Sequence, residues 1–165
     1  MGYICFMNYF ELFEMPVTLE IDPGKLAKKY FELQKKYHPD FYTQASEYEQ
    51  EEALEISSQL NKALKVFKDQ DETIKYVLQL KGLLEEEEKY QLPPDFLMEM
   101  MELNEELSDE SAARIASIEK ELYSEVGSII ENYNDERIRE QELQKLKAYY
   151  YKKKYLKRIL DRLAG

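Results

Sequence analysis

Asp22-Pro23-Gly24-Lys25-Leu26-Ala27-Lys28-Lys29-Tyr30-Phe31-Glu32-Leu33-Gln34-Lys35-Lys36-Tyr37-His38-Pro39-Asp40 is the stretch that decides the fold. Asp22 followed by Pro23 is an N-cap with proline at the first helical position, a strong helix start. From there Leu26, Tyr30, Leu33 and Tyr37 recur at helical spacing and lie within about 60° of arc. Lys25, Lys28, Lys29, Lys35 and Lys36 fall on the other side, within about 120° of one another. The helix therefore buries one face and offers the other as a basic stripe, interrupted by Glu32. Pro39 disfavours helical backbone at His38, so the helix stops near Tyr37. A polar loop over 40–46 leads to a second helix over about 47–67. Its core face is Ala53, Ile56, Leu60, Ala63, Leu64 and Phe67. Two such helices joined by a short loop pack antiparallel, which puts His38-Pro39-Asp40 at the tip of a hairpin.

On the N-terminal side, 8–13 is a short amphipathic segment closed by Pro16. On the C-terminal side, a turn over 69–71 leads to a short helix over 73–80, stopped at Gly82. Four glutamates, Glu85 to Glu88, then precede Pro93-Pro94. Like charges repel and a proline pair cannot sit inside a helix, so this is the best domain boundary. Beyond it three helical patterns, 95–107, about 110–133 and about 135–163, are joined by short polar breaks and form an antiparallel bundle. The expected architecture is all-α: a hairpin domain over 1–82, a linker over 83–94 and a three-helix domain over 95–165. No internal repeat is present.

Composition agrees. The chain has 165 residues, 44% hydrophobic and 35% charged, which suits one ordinary domain or two small ones. Five glycines and five prolines are too few for the turns of an all-β fold. A single cysteine, Cys5, excludes an internal disulfide and a Cys-based metal site, and a single histidine, His38, excludes a multi-His site. No apolar run is long enough to span a membrane. The patch over 3–7 lacks the basic flank of a signal peptide, and no Arg precedes Arg114, unlike a transit peptide. The expectation is a soluble, reduced, cytoplasmic protein. Its net charge of −11 is uneven: −5 over 1–80, −12 over 81–145 and +6 over 146–165. Phosphates would be repelled, so no nucleic-acid partner is expected. The cations of the last segment sit where a helix C-terminus favours them.

His38 beside Asp40 would, by itself, be a surface loop. A general base needs a nucleophile or a substrate pocket, and the chain supplies no second His, no nearby Cys and no Gly-rich phosphate loop. No catalytic residue is expected and the chain is not expected to be an enzyme. In combination, however, Tyr9-Phe10-Glu11-Leu12-Phe13, the basic helix ending Lys35-Lys36-Tyr37, His38-Pro39-Asp40 and Leu60-Asn61-Lys62-Ala63 resemble a J-domain, the four-helix module of DnaJ-type co-chaperones. The match covers roughly the first 80 residues. It implies a partner, the ATPase of an HscA/DnaK-type chaperone. By that resemblance the docking and triggering residues are His38, Pro39, Asp40, Lys28, Lys29, Lys35 and Lys36. The stripe's local charge on an acidic protein also suits an oriented encounter.

The helix over 95–107 carries a second signal. With Phe96 at zero, Phe96, Met100, Leu103 and Leu107 cluster within about 60° as a core stripe. Leu97, Met98 and Met101 fall at about 100°, 200° and 140°, and Glu102, Glu105 and Asp109 at about 240°, 180° and 220°. Either this helix is buried on two sides, or it exposes an apolar patch with an acidic rim, the look of a partner site. Residues 95–107 resemble the opening of the C-terminal domain of HscB-type co-chaperones, and 76–82 resemble that family's J-domain end. The resemblance now covers nearly the whole chain. It implies that the bundle binds the IscU-type iron–sulfur scaffold protein and delivers it to the chaperone. The scaffold contacts would be Leu97, Met98, Met101, Glu102, Glu105 and Asp109, with an aromatic contact from the last helix at Tyr155 or near Ile159.

Two features depart from the family pattern. Phe41 stands where many J-domains have Lys, and the paired-cysteine module that precedes some eukaryotic relatives is absent. With no transit peptide, this points to a bacterial-type cytoplasmic member with no cofactor and no membrane partner. The rival readings are a J-protein with another client, a helical adaptor with a chance tripeptide, and an enzyme using His38 and Asp40.

Overall fold

The computed structural model describes residues 7–106 and 108–165. Cys5, the patch over 3–6 and the core position expected at Leu107 lie outside the described residues. Seven α-helices and one 3-10 turn are present, and no strand occurs among the described residues. The helices are α1 (Tyr9–Leu12), α2 (Pro23–Tyr37), α3 (Glu47–Phe67), α4 (Gln70–Leu80), α5 (Pro94–Glu105), α6 (Asp109–Glu131) and α7 (Glu140–Ala164); the 3-10 turn is Pro39–Tyr42. The chain divides into two compact units, Met1–Thr73 and Ile74–Gly165. The division falls inside α4.

In the first unit each helix starts where a side chain closes the open N–H groups. Asn8 and Glu11 form a reciprocal capping box on α1. Asp22 accepts from the Lys25 N–H at 2.8 Å, with Pro23 at the first position of α2. Ser46 and Glu49 form a second box on α3. The core joins Leu26 and Leu33 of α2 with Ala53, Ile56, Leu60, Ala63 and Phe67 of α3, and with Phe10, Phe13 and Leu19. Phe67 is its hub, meeting the rings of Tyr9, Phe10 and Phe13 at 6.4, 4.8 and 5.5 Å. Polar bonds set the register of the hairpin. Tyr30 donates to Asn61 at 2.7 Å, Ser57 donates to Gln34 at 3.0 Å, and the Gln34 amide donates to Asn61 at 3.2 Å.

Helix α4 begins three residues before the expected Thr73. Asp69, taken from sequence as part of a turn, is its cap: its carboxylate accepts from the Glu72 N–H at 3.1 Å and its carbonyl from the Thr73 N–H at 2.9 Å. Gly82, at φ 71°, lies just beyond the helix end.

In the second unit α6 supplies Ile115, Ile118, Leu122, Val126, Ile129 and Ile130, and α7 supplies Leu143, Leu146, Tyr149, Tyr150, Leu156 and Ile159. Phe96 and Met100 of α5 complete the core. Leu103 is half-buried. Helix α7 starts at Glu140, five residues later than the hydrophobic pattern suggests. Asn134 accepts from the N–H groups of Glu136 and Arg137 at 3.0 and 3.2 Å, a local turn that competes with helix. Glu142 then accepts from the Arg139 N–H at 3.0 Å and opens the helix. Cross-helix bonds fix the order of the bundle. Arg114 of α6 bonds Glu99 of α5, and Arg162 of α7 donates to Asn104 of α5 at 3.1 Å.

Candidate functional site

The hairpin tip is built by Pro39. Because it blocks helix at His38, the chain leaves α2 in extended conformation (φ −65°, ψ 132°) and re-enters a 3-10 turn. His38 caps that turn: its Nδ1 accepts from the Asp40 N–H at 3.3 Å. The Asp40 carboxylate lies 3.6 Å from Nδ1 and is almost fully exposed. Tyr42 anchors the turn by donating to the Lys36 carbonyl at 2.8 Å. His38, Pro39 and Asp40 are thus held by local backbone geometry with two polar groups open to solvent.

The basic stripe is less uniform than its sequence. Lys28 and Lys35 are exposed and form no ion pair among the described residues. Lys29 is bound to Glu14 at 2.7 Å, and that contact holds the Glu14 carboxyl below its usual range. Lys36 lies 5.0 Å from the Tyr37 ring centre, and its hydrogen bond with Tyr37 raises its pKa. Beside the stripe Phe31 is 63% exposed, and Phe41 at the tip is 68% exposed. Phe31 was not singled out from sequence. Its position at about 140° from Leu26 was the available signal.

On the second unit, Met98 and Met101 are 64% and 57% exposed, whereas Phe96 and Met100 of the same helix are buried. Leu97 is half-buried. Glu102, Glu105 and Asp109 are all exposed. The two-sided burial of α5 left open by the sequence does not occur at Met98 and Met101. On α7, Ile159 is enclosed in the core at 2% exposure, while Tyr155 is half-buried and meets Phe96 edge-on at 6.3 Å.

The segment 83–94, expected to be a linker, is strapped to α7 within this unit. Leu84 is buried. Glu87 takes a left-handed conformation at φ 61°, which turns the chain so that Glu88 reaches Lys147 at 2.6 Å and Tyr151 at 3.0 Å. The Lys147 hydrogen bond, more than any other contact, holds the Glu88 carboxyl below its ordinary range, and burial raises the Tyr151 hydroxyl well above its own. Tyr90 stacks on Tyr151 at 4.4 Å with the planes 3° apart. Repulsion within Glu85–Glu88 was the sequence argument for a boundary. The partner that relieves it at Glu88 is 59 residues away in the chain, which no local pattern displays.

Residues 92–164 match the family model described as the HSCB C-terminal oligomerisation domain. The chain is 40% identical over 107 residues to the co-chaperone protein HscB homolog of Vibrio cholerae serotype O1 (strain M66-2), covering 64% of this chain and 63% of that one. It is 37% identical over 139 residues to the homolog of Vibrio vulnificus (strain YJ016), covering 78% and 81%. The crystal structure of human co-chaperone protein HscB is similar with a TM-score of 0.79 at 26% identity, covering 96% of this chain and 81% of that chain. HscB from Vibrio cholerae gives 0.62 at 30%, covering 95% and 99%. The chain belongs to the HscB co-chaperone family, whose curated members are named co-chaperones and not enzymes. No helix among the described residues is long and apolar enough to cross a membrane.

Proposed function

We propose that this chain holds an IscU-type iron–sulfur scaffold protein on its C-terminal bundle and stimulates the ATPase of an HscA/DnaK-type chaperone through its hairpin. Residues 1–82 act as the J-domain and 95–165 as the scaffold-binding domain. The setting is cytoplasmic. The observation that carries the reading is the exposure of Met98 and Met101 beside Leu97, on a bundle whose other long apolar side chains are mostly inside. Burying three such side chains contributes roughly 4.5–9 kcal/mol before the costs of association, so they would be the main apolar anchors of the complex and its polar rim would add to them. Methionine suits the task, being flexible and polarizable. Glu102, Glu105 and Asp109 select a basic rim on the scaffold.

In the hairpin unit, exposed Lys28 and Lys35 steer the tip to an acidic surface. His38 Nε2 and the Asp40 carboxylate are the groups presented once docked. The chain performs no chemistry; the chaperone hydrolyses ATP. Carrying both sites on one polypeptide makes delivery intramolecular and raises the effective concentration of scaffold at the chaperone.

The test is calorimetric titration with an apo iron–sulfur scaffold, using the parent chain and a folded Leu97→Ala/Met98→Ala/Met101→Ala variant. Saturable binding in the parent and its loss in the variant are expected. No binding by the parent would remove the iron–sulfur client and leave a J-protein with another client. Absence of ATPase stimulation by the parent would leave a helical adaptor.

A further inference from the structure

A pocket of about 580 Å³ opens between the strap and α7. Its walls are Tyr90, Leu92, Tyr151 and Tyr155, and Leu97 lies on its border with the exposed Met98/Met101 face. Three cations line it: Lys89, Lys154 and Arg158. All three are exposed and form no ion pair among the described residues. The carboxylate in the lining, Glu88, is already committed to Lys147 and Tyr151. On a chain of net charge −11, this concave site thus has a positive lining and aromatic walls. The stacked Tyr90–Tyr151 pair, with Lys147 5.8 Å from the Tyr90 ring centre, forms one side of it.

We propose that this pocket receives an acidic side chain of the client protein, with a neighbouring apolar residue packed against Leu92 and Leu97. The inference rests on the scaffold-binding reading and extends it. Three observations select this occupant. Charge complementarity requires an anion. The apolar walls exceed what a free inorganic anion would contact, and fit an acid carried on a peptide. Leu97 belongs to both the pocket and the Leu/Met face, so one partner covers both.

The arrangement also fixes orientation. Around α5 the pocket lies on the Leu97 side, at about 100° from Phe96, and the acidic rim of Glu105 and Glu102 at about 180–240°. A client must present its acid on the Leu97 side, and apolar and basic groups further round, where Met101, Glu105, Met98 and Glu102 follow at about 140°, 180°, 200° and 240°. Reversing acid and base would set like charges against each other on both flanks.

The experiment immobilises an apo IscU-type scaffold and measures association and dissociation rates of the full-length chain. The variants are Arg158→Glu and Lys154→Glu, with Lys120→Glu on α6 making the same charge change away from the pocket. An inserted acid is lost as faster dissociation, whereas a mere field effect slows association. Arg158→Glu and Lys154→Glu should each raise the dissociation rate about ten-fold with association within about three-fold, and Lys120→Glu should leave both within about two-fold. An Asp or Glu to Lys change on the scaffold should restore binding to Arg158→Glu. Unchanged dissociation in both variants, while Leu97→Ala/Met98→Ala/Met101→Ala still abolishes binding, would overturn the pocket and leave the scaffold reading intact. Slowed association alone would overturn it too, by making these cations a steering field. No binding by the parent would remove both.

Discussion

The two surfaces proposed for recognition are built in opposite ways. The hairpin tip is polar: a histidine and an aspartate are held by a proline-forced turn, with lysines alongside. Its position is set by a core of tightly buried side chains beneath it, Leu60 and Ala63 being fully enclosed. The α5 face is apolar, and its key residues are flexible methionines. The difference teaches how each surface spends its order. Charge on a rigid mount gives orientation and speed of encounter, and adaptable apolar area gives residence.

The largest effect expected on this comparison comes from the mount itself. Phe67→Ala removes the hub of the aromatic cluster and should destabilise the hairpin unit by about 3–5 kcal/mol, read by chemical denaturation. A loss below about 1 kcal/mol would mean that the tip is not held by that core. Next comes His38→Gln, which should cost no more than about 1 kcal/mol, the loss of one exposed cap. It should abolish stimulation of a chaperone ATPase, at least ten-fold in turnover, while scaffold affinity stays unchanged. A parallel fall in scaffold affinity would break the division of labour. Met98→Ala and Met101→Ala should each weaken scaffold binding by about 1–2 kcal/mol in calorimetry with no change in ATPase stimulation by the free chain.

The smallest expected effect concerns the strap. The folded-state pKa of Glu88 is depressed, so its contribution is present above its ordinary value near 4.5 and is lost as pH falls through the lower folded value. Lys147→Met should cost about 0.5–1 kcal/mol at pH 7, and the difference from the parent should shrink towards pH 3. A constant difference across that range would show that lost packing of the lysine stem, and not the ion pair, accounts for the cost.

Much of this was legible in the sequence where the determinants are local. Asp22-Pro23 marks a helix start by chemistry that acts within four residues, and the Leu26/Leu33 stripe follows from helical period alone. The exposed methionines were legible as an angle, since they fall off the stripe made by Phe96 and Met100. The start of α7 was not, because Ile138 continues the apolar period while Asn134 closes a competing turn. The strap was not legible either. Glu85 to Glu88 read as four repelling charges until Lys147 and Tyr151 are brought to Glu88 by the bundle. The pocket inherits that difficulty, since its lysines and arginine read from sequence as the ordinary basic end of a helix.

The polar contacts between α2 and α3 carry a last implication. Two greasy helices can slide past one another by a turn and bury nearly the same area, a displacement of about 5.4 Å along the axis. Tyr30, Gln34, Ser57 and Asn61 act as teeth that mesh in a single setting. The tripeptide at the end of α2 is therefore indexed from the middle of the hairpin, the way a pointer is set by its gear and not by its needle. Loss of a tooth, as in Asn61→Leu, would leave every charge at the tip in place and still misdirect them.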